Sequence, residues 1–274
     1  MMLLGTAFDP WPRSQGEPLS RSAIFAIAIT MSLVAVGLLM QTHEGLVWTL
    51  GRGMASGAGH AGLLLTGWLM AGHGAWLLGT VARASVVVLL ASVTSSFTSW
   101  GALLYLLPAV VLFFGGADPY ARPGMGQRMR AGIRHLAGGL AAGAFLGVHL
   151  LVSASLTLGY AVRVLGLGQY LAAVAYDIGA NALTAEWLFR GALFAGWWQR
   201  WEFWPAASLS TALLMGRYLI DPALPQTVEV RAGAVFYIAL LGLSACALRA
   251  WSGSLVPGYL ATVVFFACYR MLAP

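Results

Sequence analysis

The stretch Gln169–Trp198, QYLAAVAYDIGANALTAEWLFRGALFAGWW, decides how the whole chain is read. It is 30 residues of almost continuous apolar character, and it carries Asp177, Glu186 and Arg190 in its interior. An apolar run of this length is a membrane-helix candidate, since about 20 residues cross the hydrocarbon core. A charged side chain near the bilayer centre costs roughly 2.5–3.5 kcal/mol on insertion scales. Glu186 and Arg190 stand four residues apart, so a helix places carboxylate and guanidinium on one face.

Composition extends this reading to the rest of the chain. Of the 274 residues, 59% are hydrophobic and 9% charged. A soluble domain carries about 25% charged residues, so this chain cannot cover a soluble surface. The expected fold class is all-α, a polytopic membrane bundle of about eight or nine transmembrane helices. In lipid every apolar segment must be helical, because an open strand edge leaves its polar groups unsatisfied. Candidate segments fall at about 22–40, 54–72, 75–95, 99–116, 136–164, 169–198, 204–220, 232–250 and 254–272. Residues 1–21 read as a cytoplasmic or interfacial tail, and 22–274 as a single transmembrane domain.

The formal charge of +6 is carried by arginine alone. The arginines gather at segment ends, which excludes a nucleic-acid reading and fits the positive-inside bias. The loop 115–135 holds Arg122, Arg128, Arg130 and Arg134 against Asp118, and His135 belongs to it. It marks the cytoplasmic side, and counting spans from it puts the N-terminus inside as well. The expected location is the cytoplasmic (inner) membrane of a bacterium, with the lipid bilayer and other membrane subunits as partners. Tryptophans such as Trp48, Trp100, Trp201, Trp204 and Trp251 lie near segment ends, as an interfacial belt requires. Gly139, Gly143 and Gly147 form a stripe that lets two helices approach closely, within the bundle or in a dimer. Cys246 and Cys268 sit in apolar runs and read as small buried hydrophobes.

On a wheel of about 100° per residue, Asp177, Asn181 and Thr184 form one polar stripe. Glu186 and Arg190 form another, roughly opposite. The first stripe is expected to line a cavity, or else to be a hydrogen-bonded packing stripe. The second is expected to be an ion pair that fixes helix packing. His149 lies within the fifth segment. His60 and His73, near segment ends, are the residues that would ligate a heme or chlorin if the chain carried one. No metal-type spacing occurs, and no cofactor is expected otherwise. Arg217 is expected to reach the interface or to pair with Asp221.

The run Ala185-Glu186-Trp187-Leu188-Phe189-Arg190-Gly191 resembles the first signature of the CAAX protease and bacteriocin-processing (Abi-type) family of intramembrane proteases. Its pattern is Glu-Glu-x-x-x-Arg. The segment Leu209–Leu219 resembles the helix that carries a second signature, Phe-x-x-x-His. Gly253-Ser254-Leu255-Val256-Pro257 resembles the entry to a third, which carries a His and then an Asn or Asp. The resemblance implies a family-like core over about 136–272. It departs from the pattern where the chemistry is expected. Ala185 replaces the first Glu, Met215 and Leu219 fall on the Phe and His of the second signature, and Thr262 and Phe266 fall on the third. A water-activating site needs a proton acceptor and polar groups that hold the carbonyl. Alanine, leucine and phenylalanine supply none.

The expectation is therefore a catalytically inactive relative of the family: a scaffold, a binding module or an accessory subunit. Ala185, Leu219 and Thr262 would line a residual cavity with Asp177, Asn181 and Thr184, and a peptide or lipid is its expected occupant. The alternative is a divergent intramembrane endopeptidase using Glu186 or Asp177 with His149.

Overall fold

The computed structural model describes residues 21–71, 75–114, 131–163, 166–219 and 228–273. The N-terminal tail, His73, the arginines at 122, 128 and 130, and Asp221 lie outside them.

Among the described residues the chain is helical throughout, apart from one two-residue strand pair. We label the helices α1 (Arg21–Met40), α2 (Leu46–Met70), α3 (Ala75–Phe97) and α4, a 3-10 turn Ser99–Tyr105 continued by Leu106–Phe114. Next come α5 (Ile133–Leu158) and α6, in which helical backbone runs unbroken from Leu167 to Trp198. The last are α7 (Phe203–Leu219), α8 (Val228–Ser252) and α9 (Val256–Tyr269). Each follows an apolar segment of the sequence. Leu78–Phe97, Ile133–Leu158 and Val228–Ser252 are long and apolar enough to cross a membrane by themselves. Their outward residues are large and apolar, as Val86, Phe145, Leu156 and Phe236 show. The protein is a helical membrane bundle. Trp100, Trp204 and Trp251 are more than half exposed, at 80%, 65% and 53%, as an aromatic belt requires.

Two boundaries differ from expectation. The second helix starts at Leu46, eight residues before the apolar segment, because Gly51, Gly53 and Gly57 pack against neighbouring helices instead of ending it. His60 therefore lies in the interior of a helix and not near a segment end. The fifth helix stops at Leu158, where Gly159 adopts φ +69° and closes it in the left-handed conformation. Residues beyond it, Ala161–Val162, pair antiparallel with Leu272–Ala273.

The chain divides into two compact units. Among the described residues, one comprises 21–71, 75–114 and 166–184, the other 131–163, 185–219 and 228–273. The division falls inside α6, between Thr184 and Ala185.

In the first unit, small residues bring α1, α2 and α3 together. A Cβ on Gly51 would sit 2.6 Å from the Gly37 carbonyl oxygen, and one on Gly57 2.8 Å from Leu89 Cα. Gly179 is tighter still, since any side chain there would run into the Tyr105 carbonyl.

In the second unit the Gly139–Gly143–Gly147 stripe faces α9. Side chains at these positions would collide with the Pro257 carbonyl, the Ala261 carbonyl and the Cys268 side chain in turn. The small-residue stripe thus joins two helices of the same chain. Phe194, Ala206, Ala207 and Cys246 form a buried cluster where α6, α7 and α8 meet.

Candidate functional site

The helical backbone of α6 is not uniform. Asp177–Asn181 and Glu186–Phe194 are π-helical, with α-helical Ala182–Ala185 between them. Each π segment begins on one of the two carboxylates. A π turn closes i→i+5 bonds and turns less per residue, so a wheel drawn at 100° does not describe this helix. Wide turns of this kind are frequent at functional sites.

In the second unit Glu186 is 2% exposed and Arg190 1%. Arg190 Nη1 lies 3.6 Å from Glu186 Oε1. The same oxygen accepts a hydrogen bond of 2.8 Å from the Thr262 hydroxyl, across from α9. Gly258, one turn before Thr262, makes this approach possible, because a Cβ there would stand 3.0 Å from Glu186 Oε2. On the other side, Arg190 Nη2 would be 3.2 Å from a Cβ on Gly242 of α8, beside Thr211 of α7. Four helices therefore close on one ion pair. Ser210 adds a further tie, donating to the Phe189 carbonyl at 2.6 Å.

The ion pair is short of hydrogen bonds. Glu186 Oε2, Thr211 Oγ1 and all three guanidinium nitrogens of Arg190 are buried with no hydrogen-bond partner among the described residues. A buried pair in this state costs desolvation that its Coulomb attraction only partly returns. Removing either partner is worse, because the other is then left as an uncompensated charge.

In the first unit Asp177, Asn181 and Thr184 are all buried, as a polar stripe on a protein-covered face must be. Asn181 Nδ2 donates to Asp177 Oδ1 at 3.0 Å. Thr184 donates to the Ala180 carbonyl at 2.7 Å. His60 joins this stripe: Nδ1 is 3.0 Å from the Thr184 hydroxyl and Nε2 is 2.9 Å from the Tyr176 hydroxyl. With its proton given to Ala180, the Thr184 oxygen accepts, so Nδ1 carries the ring proton and Nε2 accepts from Tyr176. Both ring nitrogens are therefore engaged in hydrogen bonds. The Tyr176 ring meets Tyr105 edge to face at 5.4 Å, and the Tyr105 hydroxyl pairs with Ser92 at 2.6 Å.

The remaining predicted residues are scattered. Ala185 is 1% exposed and Thr262 2%, while Leu219 ends α7 and is half-buried. His149 of α5 is exposed, and its Nδ1 pairs with the Tyr237 hydroxyl at 2.7 Å and the Ser153 hydroxyl at 3.3 Å. Glu186 and His149 share no hydrogen-bond partner among the described residues. Arg217 lies over the ring of Tyr218, 4.9 Å from its centroid. No group of three or more His, Cys, Asp or Glu is placed to hold a metal among the described residues.

Sequence reasoning missed Thr211, Ser210, Gly242 and Gly258 at the ion pair, and Tyr176 and Tyr105 beside His60. Gly242 and Gly258 carried a signal, since glycine inside a membrane helix marks a close approach. The hydroxyls carried none that sets them apart from other membrane serines and threonines.

Helices of this length and polarity, closed around a buried Glu-x-x-x-Arg pair, define a polytopic membrane protein with an intramembrane charged motif. Residues 167–267 match the family model described as Type II CAAX prenyl endopeptidase Rce1-like. Over that stretch, which contains the ion pair and Thr262, the chain is similar to that family. No curated protein and no solved structure matches the chain.

Proposed function

We propose that this protein is a non-catalytic relative of the Rce1-like endopeptidases, acting as a membrane scaffold, binding module or accessory subunit. The observation that supports this most is the hydrogen bond from Thr262 to Glu186. It occupies one oxygen of the motif's remaining carboxylate with a hydroxyl, at the position where the family resemblance expects a histidine. Ala185 supplies no carboxylate before it, and Leu219 no imidazole. A peptidase needs a base free to take a proton from water and polar groups aimed at the substrate carbonyl. What this chain keeps is the pair that holds α6, α7, α8 and α9 together. The bilayer we have in mind is a bacterial cytoplasmic membrane with the N-terminus inside, in keeping with the arginine bias of the sequence.

The test is a cleavage assay with the full chain in proteoliposomes and a prenylated CAAX peptide. The expected outcome is no product above that of empty vesicles. Cleavage that disappears in a folded Glu186→Gln variant would establish the endopeptidase reading instead. Purification in mild detergent adds a second measurement. An accessory subunit arrives in stoichiometric ratio with the same membrane proteins in repeated preparations, and a lone enzyme does not.

A further inference from the structure

The ion pair of α6 and the hydroxyl beside it leave five polar atoms unanswered. Glu186 Oε2, Arg190 Nε, Nη1 and Nη2, and Thr211 Oγ1 are buried with no hydrogen-bond partner among the described residues. Their side chains belong to residues that are 1–3% exposed. Buried polar groups in native interiors are satisfied either by protein or by ordered water.

The atoms belong to one small region. Thr211 Oγ1 and Arg190 Nη2 lie 2.8 Å and 3.2 Å from a single point, the place a Cβ would take on Gly242 of α8. They face the same spot without bonding each other. Cys246, one turn further along α8 and fully buried, stands beside both and within the field of Glu186. Its thiol is a weak donor and a weak acceptor, and it satisfies neither. At the other end of the pair, Glu186 Oε2 lies 3.0 Å from where a Cβ would stand on Gly258 of α9. The two glycines keep side chains away from both charges.

The chemistry of the set selects its partner. Arg190 and Thr211 offer donors and Glu186 offers an acceptor, so one partner must both accept and donate. The pair is neutral as a whole, and an added ion would be an uncompensated charge in a low-dielectric interior. Burial this complete excludes a larger molecule. Water is small, neutral and able to do both, and a buried water makes about three hydrogen bonds to groups otherwise left unsatisfied.

We propose that ordered internal water binds between Thr211, Arg190 and Glu186. It accepts from the Thr211 hydroxyl and from an Arg190 N–H, and it donates toward Glu186 Oε2. Both of its lone pairs are then engaged, so it is a structural bridge and not a nucleophile. It supplies hydrogen bonds that the ion pair lacks. The inference rests on packing alone and is tested without a cleavage substrate.

The experiment is X-ray hydroxyl-radical footprinting of the purified full chain in detergent, read by mass spectrometry. Radicals formed from a held water oxidise a reactive side chain beside it, even a buried one. Cys246 is the reporter, and Trp187, 1% exposed, is the buried reference. With each yield normalised to that of the unfolded chain, Cys246 is expected to be oxidised several-fold more than Trp187. Thr211→Val keeps the shape and removes the hydroxyl, and it is expected to bring Cys246 down to the level of Trp187. Thr211→Ser retains the signal. Equal yields for Cys246 and Trp187 in the parent chain, or an unchanged Cys246 yield in folded Thr211→Val, overturn the proposal. Should that variant fail to fold, a crystallographic map that resolves ordered water decides. A peak at hydrogen-bond distance from Thr211 Oγ1 and an Arg190 nitrogen upholds the bridge, and a map without one overturns it.

Discussion

The two polar clusters of this molecule solve the same problem in opposite ways. The Glu186–Arg190–Thr262 cluster is charged, buried and short of partners, with four of its side-chain atoms lacking a hydrogen bond among the described residues. The His60–Tyr176–Thr184 cluster is built from neutral hydroxyls and an imidazole, and both imidazole nitrogens are hydrogen-bonded. A neutral network in a low-dielectric interior can be satisfied by its own members. A charge pair there needs good geometry and extra hydrogen bonds to offset desolvation. The contrast teaches that the motif's conspicuous residues need not be the best-settled ones.

Overpacking a glycine contact is the largest effect we expect, and it bears on both units alike. Gly179→Val drives a side chain into the Tyr105 carbonyl, and Gly143→Val into that of Ala261. Overpacking against movable side chains costs about 1–3 kcal/mol; here the obstacle is helix backbone that cannot move aside, so folding is expected to fail outright. Loss of folded, monodisperse protein in size-exclusion chromatography is the expected readout.

The charged cluster responds next. Glu186→Ala leaves Arg190 buried without its counter-charge and is expected to lose about 3–5 kcal/mol, seen as a lower thermal midpoint in detergent. Wild-type stability would mean that water reaches the pair. Replacing both, Glu186→Leu with Arg190→Leu, sharpens the contrast. The double variant is expected to be more stable than either single one, because no lone charge remains.

The neutral cluster is expected to respond less. His60→Ala orphans the Tyr176 hydroxyl and removes one bond from Thr184, at a cost of about 1–3 kcal/mol. A loss larger than that of Glu186→Ala would invert the comparison. Comparable in size is Thr262→Val, which keeps the shape and removes one hydrogen bond to the carboxylate, about 1.5–3 kcal/mol before relaxation. If it costs nothing measurable, the Thr262 contact is not what holds Glu186.

The helices were legible in the sequence because hydropathy is a property of each segment by itself. The nine apolar runs became nine helices among the described residues, with ends displaced by glycine. Two polar stripes on one membrane helix implied either protein on both faces or a wet cavity on one, and Asp177, Asn181, Thr184, Glu186 and Arg190 are buried. The partners were not. Thr262 reaches Glu186 across 76 positions and His60 reaches Thr184 across 124. Neither separation follows any helical period. The π segments of α6 were also hidden, because a wide turn depends on what packs against the helix.

The sequence by itself determined the class of protein: an apolar, arginine-only chain that must be helical in lipid, with a Glu-x-x-x-Arg pair and no carboxylate before it. Local chemistry suffices for that, because transfer free energy and missing side chains need no neighbours. Only the tertiary structure decided which hydroxyl meets which charge, that the glycine stripe of α5 serves α9, and that His60 is bonded at both nitrogens while His149 is bonded at one. Those are facts of non-local packing, and the bilayer enforces them by leaving no water to satisfy a polar group that fails to find its partner.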